Sequence, residues 1–87
     1  MTIGARIKEW RTHKKLKQDE ACSLLGVPFS TYQKYEMDNR KPGAEALEAF
    51  VTAGVNVNWL LTGEGEMLVG NAELSDYATF RLRRIDT

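Results

Sequence analysis

The sequence predicts an all-α fold: a compact five-helix bundle over residues 1–67, with a tail over 68–87 whose structure the pattern leaves open. Three observations lead there. Apolar residues up to Met67 recur at helical spacing. Gly26, Gly54 and Gly63 fall where such runs end. A chain of 87 residues, 43% hydrophobic and 28% charged, suits one modest core and is too short for two.

Thr2 is placed to cap the first helix, along which Ile3, Ile7 and Trp10 fall at i, i+4 and i+7 and draw one apolar stripe. Arg6, Lys8, Glu9, Lys14 and Lys15 are left for the other faces. A second helix follows from Lys17 or Gln18, with Ala21, Cys22, Leu24 and Leu25 on its inward side. Gly26 stops it, because glycine takes positive φ at little cost and lets the chain turn sharply. Val27 plugs the corner. Pro28 has no N–H to donate, but its fixed φ suits the first turn of a third helix, where that donor would be unpaired. Tyr32 and Tyr35 face the core with Thr31 beside them, whereas Phe29, Ser30, Gln33 and Lys34 point elsewhere and meet no acid until Glu36. Asp38 to Gly43 form a loop carrying two adjacent cations, Arg40 and Lys41. Leu47, Phe50 and Val51 mark a fourth helix ended by Gly54, and Asn58 caps a short fifth one bearing Trp59, Leu60 and Leu61.

Beyond Met67 the pattern changes. Gly70 and Asn71 read as a linker, after which Ala78, Phe80 and Leu82 alternate with Thr79, Arg81 and Arg83 in a strand-like period of two; a helix from Asp76 also fits. A lone strand has no partner for its backbone groups, which leaves a mobile tail, a fragment of something longer, or a self-association element.

The single cysteine closes no intramolecular disulfide, and with one histidine it builds no Cys/His zinc cage, so packing must hold the fold and a reducing cytoplasm suits it. No apolar run reaches the roughly 20 residues that span a bilayer, and the N-terminus has no secretory signature. No metal or cofactor site, no small-molecule site and no catalytic constellation is legible: Cys22 has no base beside it, and neither a phosphate-binding glycine loop nor a carboxylate pair is present.

Net charge is zero, but the total hides a segregation. Residues 1–42 hold nine Lys/Arg against five Asp/Glu, residues 43–76 none against six, and residues 77–87 three against one. Solvated helices of mixed charge explain this; so does an electrostatic footprint for a polyanion on the basic front half.

A helix, a tight glycine turn and a second helix presenting uncharged hydrogen bonders and a cation is the layout that sets one helix in the DNA major groove. Ser30, Gln33 and Lys34 meet the requirement that side chains reading base edges avoid carboxylates, which phosphate repels. Gln18, Cys22, Gly26-Val27, Tyr32, Tyr35-Glu36 and Lys41-Pro42 together resemble the helix-turn-helix pattern of the lambdoid phage repressor and Cro family, and Val57 to Glu64 (VNWLLTGE) is similar to that family's final helix. The resemblance covers residues 3 to 67, about three quarters of the chain.

It implies a repressor that acts on a double-stranded DNA operator without a cofactor. By position, it implies base contacts from Pro28, Phe29, Ser30, Gln33 and Lys34, and phosphate contacts from Lys17, Gln18, Asn39, Arg40 and Lys41. It also implies a structural ion pair between Arg11 and Glu36. Two departures stand out: Pro28 replaces the Ser or Thr with which many relatives open this helix, and Phe29 replaces a commonly polar reader. Phe29 then either meets a thymine methyl or covers Val27. A homodimer on half-sites roughly 34 Å apart is expected, with Val55, Val57 and Trp59 as candidate contacts between copies. The alternative function is a protein–protein interaction module built on the same helices, docking through the acidic stretch from Gly43 to Asp76. Relatives of this kind often continue into a self-cleaving serine/lysine peptidase domain, whose catalytic residues this chain does not carry; the strand-like ending would suit the start of one.

Overall fold

In the computed structural model of the chain, residues 1–69 are described, and the strand-like segment expected at 78–83 lies outside them. The described residues form α1 (Ile3–His13), α2 (Gln18–Leu25), α3 (Phe29–Glu36), α4 (Ala44–Thr52) and α5 (Val57–Thr62). Thr2, in extended backbone, accepts the Ala5 N–H on its hydroxyl at 3.1 Å and so opens α1. At the start of α2 the Glu20 carboxylate reaches back to the Lys17 N–H at 2.8 Å. α2 ends at Gly26, with φ +71, where the Gly26 N–H bonds to Ser23 O at 3.2 Å and the Val27 N–H to Cys22 O at 3.0 Å. These two bonds are the Schellman arrangement, and the left-handed residue at its pivot favours glycine.

Pro28 sits one step outside α3, at its N-cap: φ of −62 is compatible with a helix, but ψ of 147 is extended, and its carbonyl accepts the Tyr32 N–H at 2.9 Å. The cap of α5 is Asn56, not Asn58. Its side-chain oxygen accepts the Asn58 N–H at 3.1 Å. After α5 the chain turns back and pairs antiparallel with the α4–α5 connection: the Asn56 N–H bonds to Met67 O at 2.8 Å and the Val69 N–H to Gly54 O at 2.9 Å, around a Val55–Leu68 bridge.

α1 packs on α3 and α5, and α2 on α3 and α4. Trp10, Phe50, Tyr32, Ile7, Leu60 and Val55 are fully buried at the centre. Trp10 meets Phe50 edge to face, with ring centroids 5.4 Å apart, a geometry that aromatic quadrupoles favour. Each such burial contributes roughly 1.5–3 kcal/mol.

Three side chains depart from the expected sidedness. Leu24 is exposed: Ala21, Cys22 and Leu25 occupy the buried face of α2, and Leu24 falls off that stripe. Val51 is likewise outward on α4, whose buried residues are Ala46 and Phe50. Arg6, expected on an outer face, is buried. Its Nε donates to Leu60 O at 2.7 Å, Nη2 to Leu61 O at 3.1 Å and Nη1 to Met1 O at 2.7 Å. A cation there satisfies carbonyls in the last turns of α5, which the helix itself leaves without donors.

Candidate nucleic-acid interface

α2, the Gly26 turn and α3 place Phe29, Ser30 and Lys34 at the surface, with Gln33 half-buried and Pro28 exposed before the helix. The opposite face of α3 buries Tyr32 and Tyr35. Phe29 keeps 44% of its surface in solvent, so a flat apolar ring is available at the start of α3. Flanking this face, Lys17 is exposed ahead of α2, and Asn39, Arg40 and Lys41 are exposed after α3. Of the residues expected at bases, Phe29, Ser30, Gln33 and Lys34 thus share one helix with Pro28 at its N-cap, and of those expected at phosphates Lys17, Asn39, Arg40 and Lys41 are exposed.

Gln18 is the exception in this outer set. Half-buried, it donates its amide nitrogen to Glu36 Oε1 at 3.0 Å. Glu36, whose side chain is 5% exposed, also receives Arg11 Nε on Oε2 at 2.7 Å, Arg11 Nη2 on Oε1 at 3.3 Å, and the Tyr32 hydroxyl on Oε2. Arg11 further donates Nη1 to Leu16 O at 3.0 Å, tying the α1–α2 connection to the same cluster. Tyr32, read from sequence as a plain core residue, is therefore also a hydrogen-bond donor. The signal was present in its spacing from Glu36, four residues on along the same helix face.

Burial pushes the Glu36 carboxyl up, but the hydrogen bonds from Arg11, Tyr32 and Gln18 outweigh it and hold the group below the ordinary carboxylate range. Burial, then the hydrogen bond to Glu36, push the Tyr32 hydroxyl above its ordinary value. The hydrogen bond to Glu36 raises Arg11 against the opposing effect of burial. Stability from the depressed Glu36 is complete above the unfolded glutamate value of about 4.3 and is lost as pH falls through the folded value. Stability from the raised Tyr32 is complete below about 10 and is lost as pH rises towards the folded value. The melting temperature, followed by circular dichroism, should therefore stay level between about pH 5 and 9 and fall on both sides. Tyr32→Phe should shrink the alkaline fall; an unchanged alkaline limb would remove Tyr32 from this account.

A second anchor lies just past the same C-terminal end of α3. Asp38, at φ +61, accepts the Thr2 hydroxyl at 2.6 Å and the Gly4 N–H at 2.9 Å. Those two bonds, the Thr2 one first, lower its carboxyl, and they cap the N-terminus of α1 from a distant segment. Gly4 lets this happen, because a Cβ there would lie 2.6 Å from both Tyr35 O and Glu36 O.

The Cro- and repressor-type helix-turn-helix family profile matches residues 7–53, just over half of the chain, from the middle of α1 to the end of α4. This chain belongs to that family. The helix-turn-helix assignment makes it a sequence-specific DNA-binding domain with a role in regulating transcription. Comparison with curated proteins and with solved structures gives no significant match. Among the described residues no helix is long and apolar enough to cross a membrane. In the helix-turn-helix frame α2 is the first helix of the motif and α3 the second. Val55 and Trp59, expected between copies, are held in the core of the domain, 0% and 7% exposed; Val57 is half-exposed and lines one groove with Val51.

Proposed function

We propose that the protein is a transcriptional repressor of phage or prophage type that occupies a double-stranded DNA operator as a homodimer. The observation that carries this is the free outer face of α3, where Phe29, Ser30 and Lys34 are exposed while the inner face is fixed by Tyr32, Tyr35 and Glu36. Pro28, Phe29, Ser30, Gln33 and Lys34 read base edges; Lys17, Gln18, Asn39, Arg40 and Lys41 follow the phosphates. Residues 1–67, with Leu68 and Val69 paired to the α4–α5 connection, form the DNA-binding unit, and the rest of the 68–87 segment a linker or the start of a further domain. With Val55 and Trp59 in the core, the contact between copies falls on Val57 and its surroundings.

Selection from a random duplex library, followed by a salt titration on the winner, tests this. The expected winner is palindromic, and its affinity falls steeply with ionic strength as counterions are released. Lys34→Ala should weaken binding by about 1–3 kcal/mol and relax preference at one base pair. Affinity unchanged from low to high salt would reject phosphate contacts altogether. It would favour the second reading, a protein-interaction module, for which the open apolar groove between α4 and α5 (Leu47, Val51 and Val57, edged by Glu48) is the supporting observation.

A further inference from the structure

Gln18 differs from the other residues proposed to reach phosphate, because its side chain is tied inward as well as bordering solvent. A primary amide has one acceptor oxygen and a nitrogen with two hydrogens, and either end can face a neutral partner. Ionised Glu36 removes that freedom. A carboxylate only accepts, so the Gln18 nitrogen, not its oxygen, must turn towards Glu36 Oε1. The carboxylate is also saturated: two bonds from Arg11, one from Tyr32 and one from Gln18 occupy its roughly four lone-pair directions. It therefore takes one hydrogen from Gln18 and has no room for the second. Gln18 also lines an open concavity together with Arg11, Lys17, Asp19 and Phe29, into which a second hydrogen can be offered.

We infer that Glu36, buried and remote from the outer face of α3, is a positioning residue for DNA binding: it spends one Gln18 amide hydrogen and presents the other to a backbone phosphate oxygen seated in the concavity between Arg11, Lys17 and Phe29. This rests on the operator-binding function proposed above. Arg11, through its two bonds to Glu36, and Tyr32, through its hydroxyl, hold the carboxylate in the ionised form that enforces the orientation.

A double-mutant cycle on the full chain tests it, using the duplex recovered by selection and a temperature at which circular dichroism shows every variant folded. Gln18→Ala should weaken binding about tenfold, as expected for losing a hydrogen bond to a charged group. The salt dependence should keep its slope, since a neutral amide displaces no counterion. Glu36→Gln, which is isosteric but lets the Gln18 amide face either way, should weaken binding by a similar factor. In the Gln18→Ala background it should cost less than twofold. Equal losses from Glu36→Gln in both backgrounds overturn the positioning role, because a merely structural glutamate acts regardless of Gln18. Should Glu36→Gln fail to fold, the free wild type gives a second measurement by nuclear magnetic resonance. The Gln18 side-chain amide hydrogen bonded to Glu36 should exchange with solvent more slowly than its geminal partner; equal exchange of the two overturns the inference. A wild type that binds no duplex in a salt-dependent manner removes the operator-binding function and this role together, whereas salt-dependent binding with an additive cycle removes only the role.

Discussion

Gly4→Ala will lower the stability of the domain by about 3 kcal/mol, the upper part of the range for forcing an extra methyl into a packed interior. Helix propensity points the other way, since alanine in a helix is favoured over glycine by up to about 1 kcal/mol. Geometry decides between them. The added methyl would sit 2.6 Å from the carbonyl oxygens of Tyr35 and Glu36 and 2.9 Å from Asp38 Cγ. Two of those three atoms are backbone, so α1 and α3 must separate, and with them the seating of Ile7 and Trp10. Urea denaturation of the variant reads the loss; a midpoint at or above that of the parent would show that the helices part without cost.

Arg11→Ala should cost still more, about 3–5 kcal/mol, because it strands the Glu36 carboxylate in the interior with Tyr32 and Gln18 as its remaining donors. At roughly 0.05–0.15 kcal/mol per residue, a domain of this size has a total stability of only about 3–10 kcal/mol, so the variant should lose from about a third to all of it. The bond itself need not be strongly stabilising, since replacing both partners of a buried pair by apolar residues is often neutral. Accordingly, Arg11→Met combined with Glu36→Leu should recover part of the loss. Thermal melts compare the three proteins, and an Arg11→Ala variant melting at the parental temperature would mean that the charge finds water after all.

Periodicity and turn chemistry carried most of the fold. The i, i+4, i+7 stripe of Ile3, Ile7 and Trp10, the Gly26 turn and the apolar Trp59-Leu60 pair each lie within one or two helical turns, and local rules reach that far. What local rules misplaced depends on partners far away in the chain. Arg6 looks like any surface cation until α5, over fifty residues later, brings its last carbonyls to it. Asp38 looks like a loop acid until it meets Thr2 and Gly4. Val55 and Trp59, apolar and near the end of the domain, suit a contact between copies by local rules, but the core takes both. The same limit applies to the site. The exposed face of α3 follows from sequence spacing, whereas the inward tie of Gln18 depends on Glu36, eighteen residues away and brought beside it by the fold.

Because α3 is braced at one end by the Gly26 corner and at the other by the grip of Asp38 on the start of α1, it has little freedom to tilt or to fray. Such a rod meets a duplex as a fixed template. On the operator-binding function proposed above, the nucleic acid would then do the adjusting, and sequences whose steps bend or narrow cheaply would gain an advantage even at base pairs that no side chain touches.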